Sequence, residues 1–171
     1  MSIRKNNLEN SIREYLLDEG ILREKRSSSD VDFGFIFSFP QGPKSQNMSV
    51  FKPKNKNSIF VVIKTQISKK HANTLNSFKG NKKFLFFNNL RKFYLTKEVY
   101  FKIDVQNFRF EIIKQIFPDI NGNISKNTLF KAIQKVFYCY VFSNLLLEEY
   151  CLKEDISQAE IGPEFDFSLY S

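Results

Sequence analysis

One histidine, two cysteines and a pair of aspartates at strand spacing are the residues whose types could do chemistry in this chain. His71 would have to serve any Ser-His-Asp or Cys-His arrangement. It follows Ser68-Lys69-Lys70 in what reads as the first turn of a surface helix, where an ordinary exposed histidine is the simpler reading than a general base. Cys139 and Cys151 lie twelve residues apart on one expected helix. At ~1.5 Å per residue that is about 18 Å, too far for a disulfide. With a single histidine they also supply no zinc cluster. Two free thiols fit a reduced, cytoplasmic protein.

Asp30 and Asp32, two apart and so on one face of a strand, have a spacing that could hold Mg²⁺. A basic chain with helix, three strands, helix and strand in that order resembles the core of restriction-like nucleases. That resemblance implies a (D/E)-x-K on the third core strand. Here Ile59-Phe60-Val61-Val62-Ile63-Lys64 puts Val62 where the acid should be, so two-metal hydrolysis lacks its second hard ligand. Asp30 and Asp32 are therefore read as strand-start residues, and Glu148-Glu149 as a solvated helix end. Gly80 stands among Lys79, Lys82 and Lys83, but without GxxxxGK[ST] a phosphate-cradling loop is not supported. The residues nominate no catalytic group, no metal and no cofactor, and the expectation is a protein that is not an enzyme.

Charge is distributed more tellingly than its net value of +8. From Phe33 to Lys97 there are thirteen Lys or Arg and no Asp or Glu. From Lys153 onward one lysine faces five acids, Glu154, Asp155, Glu160, Glu164 and Asp166. A basic body of this kind attracts phosphate backbones or acidic peptides. Lys52, Lys54 and Lys56 on a hairpin, with Lys82, Lys83, Arg91 and Lys92 on a helix, are the candidate anion-binding residues, and nucleic acid is one candidate partner. No RNA- or DNA-reading motif accompanies them. The longest apolar run, Val136 to Phe142, is far short of a bilayer span, so no membrane insertion is expected.

The elements that would carry these residues follow from periodicity. Asn6 or Asn7 can cap a helix with a stripe of Leu8, Ile12, Tyr15 and Leu16, ended by Gly20. Arg23 to Ser29 is polar and reads as a loop. Val31, Phe33, Phe35, Phe37 and Phe39 then alternate as a strand, and Met48–Phe51 with Ser58–Gln66 read as a hairpin. Phe60 and Val62 face opposite to Ile59, Val61 and Ile63, which places that strand mid-sheet. A helix broken at Gly80-Asn81 spans 69–95, and a second hairpin turns at Asp104-Asn107. From Ser125 to Glu154 there is no Gly or Pro, and Leu129, Ile133, Val136, Tyr140, Leu147 and Cys151 recur at helical spacing. The fold expected is α+β: five strands, mainly antiparallel, helices on one face, in the order α-β-β-β-α(broken)-β-β-α. It forms one domain over 1–152, followed by an acidic-aromatic tail over 153–171 that is either disordered or docked.

On the outer face of the last helix, Tyr138, Phe142, Leu145 and Leu146 interrupt a run of charged residues. A helix that is apolar all round is normally covered all round, so these four are the candidate partner-binding residues.

Asp32-Phe33-Gly34-Phe35-Ile36-Phe37-Ser38-Phe39-Pro40, Ile67-Ser68-Lys69-Lys70-His71, Phe86-Phe87-Asn88-Asn89-Leu90-Arg91, and Ile116-Phe117-Pro118-Asp119 with Ser125-Lys126 resemble an archaeal family of uncharacterised small domains. Its architecture is similar to type III secretion chaperones and YbjN-like proteins. Over residues 7 to 152 the resemblance implies a five-stranded antiparallel sheet with helices, frequent pairing into dimers, and exposed apolar surfaces that hold another polypeptide. It brings no catalytic residues. The functional expectation is a cytoplasmic, dimeric, non-enzymatic interaction module with a polypeptide client. The alternative is a basic nucleic-acid-binding accessory protein.

Overall fold

The computed structural model describes residues 2–78 and 80–158, with side chains over 7–78 and 80–152. Its elements are α1 (Ser2–Asp18), β1 (Leu22–Lys25), β2 (Val31–Phe39), β3 (Gln46–Pro53), β4 (Ile59–Gln66), α2 (Lys69–Ser77), α3 (Lys82–Thr96), β5 (Tyr100–Asp104), β6 (Arg109–Ile116) and α4 (Lys126–Gln158). The six strands form one antiparallel sheet in the order β1-β2-β3-β4-β6-β5.

This corrects the expected five strands and their order. The missed strand is β1, in the stretch that reads as a loop. Its sequence Leu-Arg-Glu-Lys has no apolar alternation, because an edge strand pairs on one side only and charged side chains keep the other side from pairing. Backbone pairing holds β1, with Ser38 N–H donating to the Ile21 carbonyl and Arg26 N–H to the Gly34 carbonyl, and Arg23 Nε adds a bond to Ser38 Oγ.

Helix boundaries follow local chemistry. Gly20 at φ 63° lets the chain leave α1, with its N–H on the Leu17 carbonyl and Ile21 N–H on the Leu16 carbonyl. Ile21 then folds back into the core. Ser68 caps α2 by accepting from His71 N–H, and Ser125 caps α4 by accepting from Thr128 N–H. Between β5 and β6 the Asp104 carboxylate accepts from the backbone of Gln106 and Asn107 and from the Asn107 side chain. Those bonds, with Asn107 foremost, hold its carboxyl below the usual range. The helix α4 begins where capping chemistry places it and runs to Gln158, beyond the expected domain boundary at 152. The rest of the expected tail, 159–171, lies outside the described residues.

The core lies between the helices and one face of the sheet. Phe33, Phe35 and Phe37 of β2, Met48 and Val50 of β3, Ile59, Val61 and Ile63 of β4, and Phe110 and Ile112 of β6 meet Ile12, Leu16, Phe86, Phe87, Leu90, Ile133 and Val136. Burial at this scale is the main stabilising term. One polar link crosses it. Ser143 Oγ donates to the Cys139 carbonyl at 2.6 Å, leaving Oγ to accept from the Tyr94 hydroxyl, also at 2.6 Å. Burial pushes the Tyr94 hydroxyl far above its usual range, with Ser143 pulling against it. Ser143→Ala therefore strands a buried hydroxyl and is expected to cost about 1 to 2 kcal/mol, more than Tyr94→Phe, which leaves Ser143 bonded to Cys139. Urea unfolding of both variants checks the order.

Candidate interaction surfaces

Residues opposite one another in an antiparallel pair share a face, so register assigns the sheet's second side. Ile36, Ser49, Val62, Ile113 and Tyr100 form a row across five strands. The next row holds Gly34, Phe51, Phe60 and Gln115. Phe51 and Phe60 stack with centroids 5.8 Å apart. All four helices pack together or on the opposite side. No described helix lies over these rows: Tyr100 is 63% exposed, Ile36, Phe51, Phe60 and Ile113 are half-buried, and Val62 is buried among them. Gly34 is close-packed between the Arg26 backbone and Phe51, and next to it a hollow of about 430 Å³ opens beside Phe51, Val62 and Ile113. A second hollow, about 380 Å³, is lined by Phe51, Pro53, Phe60, Tyr100, Ile113 and Gln115. Lys64 and Lys102 border the apolar rows, with Glu111 between them and 3.1 Å from the Lys64 Nζ.

The signal for this surface is present in the sequence. Phe60 and Val62 point away from Ile59, Val61 and Ile63, and helices confined to one side must leave that second apolar set uncovered. The step from alternation to an open face is the one sequence reasoning missed.

On α4 the expected patch is largely outward. Tyr138 is 64%, Phe142 36% and Leu145 48% exposed. Phe142 also stacks on Phe93 at 3.7 Å, which ties the patch to α3. Leu146, about 100° round the helix from Leu145, packs against the core instead.

The candidate anion-binding residues do not converge. Lys54 and Lys56 lie in the β3–β4 turn, beside the start of β4, whereas Lys82 and Lys83 follow α2, beyond its end. Along β4 those ends are about 23 Å apart at ~3.3 Å per residue. Lys52 is held at 2.6 Å by Asp32, and the two side chains are only 13% and 10% exposed. Lys83 Nζ sits 4.4 Å from the Phe108 ring centroid and Lys82 Nζ 5.6 Å from that of Phe78. Arg91 donates to Asn88, and Lys92 is exposed further along α3. Asp32 thus faces an ammonium, while Asp30 is exposed in a turn with Ser28 and Ser29. His71 is half-buried at the start of α2. Among the described residues no cluster of three His, Cys, Asp or Glu could hold a metal ion. Among the same residues no helix is long and apolar enough to cross a membrane.

A family model described as an uncharacterized conserved protein, DUF2299, matches residues 8–147. No curated protein matches the chain. The crystal structure of an uncharacterized protein from Methanothermobacter thermautotrophicus is similar, with a TM-score of 0.74 at 20% identity, over 82% of this chain and 96% of that one. At that identity the likeness shows the fold alone.

Proposed function

The chain belongs to the DUF2299 family of uncharacterized conserved proteins, and from that premise we propose that it is a non-enzymatic, cytoplasmic interaction module that holds an extended polypeptide on the open face of its sheet. The observation that carries this reading is the partly open apolar surface on which Tyr100 is exposed and Ile36, Ile113, Phe51 and Phe60 are half-buried around the buried Val62. An apolar sheet face with no helix over it is a site on which another surface can pack. The hollows beside Phe51 take side chains, while Glu111 already occupies the space between Lys64 and Lys102. This is a chaperone-like use of exposed apolar area.

The test uses reduced, carboxymethylated α-lactalbumin, an acidic and permanently unfolded chain, with fluorescence anisotropy as readout. Wild-type protein is expected to bind it. Phe51→Ser with Phe60→Ser should weaken binding by roughly tenfold or more through lost aromatic anchors, with the melting transition retained. Equal binding by the variant removes the open face from consideration. Labelled single-stranded oligothymidine serves as the second probe. Binding that favours it over the polypeptide and falls steeply with salt would support the nucleic-acid reading instead.

A further inference from the structure

The outer face of α4 is a separate surface with its own pattern. Tyr138, Phe142 and Leu145 follow at spacings of four and three, and Leu152 lies seven beyond Leu145. That is the seam of a helix that packs along another helix. Lys131, Gln134 and Lys135 precede this apolar group on the same face, and Glu149 follows it there with Glu148 on its flank. Lys131, Gln134, Glu148 and Glu149 are exposed, and Lys135 is partly so. The sign change along the helix says what fits there.

We propose that this face pairs antiparallel with the same face of a second copy of the chain. A two-fold axis sets the N-terminal half of one helix against the C-terminal half of the other, so the lysines of each meet the glutamates of its partner. Parallel pairing would set like charges together. The charged residues and the central apolar group have nearly coincident centres: the midpoint of Lys131 and Glu149 is Tyr140, that of Lys135 and Glu148 falls between Val141 and Phe142, and so does that of Tyr138 and Leu145, which leaves Leu152 at the rim opposite Lys131. A single axis thus satisfies both. The contact from Lys131 to Leu152 would extend about 32 Å at ~1.5 Å per residue. Phe93, stacked on Phe142, widens it. Lys135 is near Glu98 within the chain, at 3.6 Å, but Glu98 is itself 81% exposed and leaves the lysine accessible.

The proposal concerns a different surface from the open sheet face, and charge reversal tests it without touching that face. Light scattering is expected to show wild type as a dimer. Glu148→Lys with Glu149→Lys, and separately Lys131→Glu with Lys135→Glu, should each raise the dimer dissociation constant roughly tenfold to a hundredfold through like-charge contacts. Far-UV circular dichroism should remain unchanged. Mixing the two variants restores opposite charges at both ends, so a mixed dimer should form at wild-type strength. A monomeric wild type, variants that dimerise as wild type does, or a mixture that stays monomeric would each overturn the pairing. A chain ended at Gln158 is the control for the remaining occupant. If it dimerises where the full chain does not, residues 159–171 occupy the face and self-pairing is wrong for the intact protein.

Discussion

Replacing Phe35 by alanine is expected to remove about 4 kcal/mol of folding stability, whereas Phe60→Ala should cost only about 1 kcal/mol. Both residues are strand phenylalanines in the same sheet, but the two sides of that sheet face different surroundings. Phe35 is 1% exposed on the helix side and tilts against Phe33. Its loss leaves a cavity that the fully buried Phe37, Met48 and Val50 cannot close without moving. Phe60 lies on the uncovered side with Phe51 as its aromatic neighbour. Against a total stability of about 5 to 15 kcal/mol, the first loss is severe and the second tolerable. Urea unfolding midpoints at unchanged slope would measure both. Equal costs would mean that the second face is covered as well as the first, and the polypeptide site proposed there would go with it.

That contrast bears on what could be read from the chain before its fold was known. Elements whose side chains repeat with a strong period were legible: β2 from its four alternating phenylalanines, α4 from its unbroken helical spacing, and the end of α1 from Gly20. The edge strand β1 was not, because what places it is backbone pairing to β2, and backbone groups are the same in every sequence. The outward placement of Tyr138 and Leu145 was legible because it depends only on angles within one helix. Leu146 is expected on the same patch, but its 100° offset from Leu145 puts it on the core flank. The open sheet face follows only when the two apolar sets of β4 are combined with the expected placement of the helices on one side, a step the sequence reading does not take. Alternation in β4 showed two apolar sets but could not say which of them would stay uncovered.

Lysines show the limit most plainly. The absence of acids between Phe33 and Lys97 suggested a single basic surface, yet charge counted along a chain carries no direction in space. Asp32 stands just before that segment in sequence and directly beside Lys52 in the fold. The hairpin lysines and the first lysines of α3 belong to opposite ends of β4. A basic segment became several separate cations, some of them already engaged with a carboxylate or a ring.

Lys52→Met is accordingly expected to act on stability rather than on anion binding. In the folded protein the Lys52 ammonium lies 2.6 Å from the Asp32 carboxylate, and both are nearly enclosed. Removing the ammonium takes away the cation held 2.6 Å from a poorly solvated carboxylate, a loss that costs about 3 to 5 kcal/mol at a fully buried site. Residual exposure at this pair lowers the expectation to about 2 to 3 kcal/mol. Replacing both partners, Lys52→Met with Asp32→Leu, removes the carboxylate along with its cation and should recover part of that loss. Unfolding of the four proteins as a double-mutant cycle isolates that coupling. The affinity of Lys52→Met for oligothymidine should match wild type at every salt concentration at which it is folded. A variant that unfolds normally but loses one unit of salt dependence would instead make Lys52 a phosphate contact, and the ion pair with Asp32 would then be dispensable to the fold.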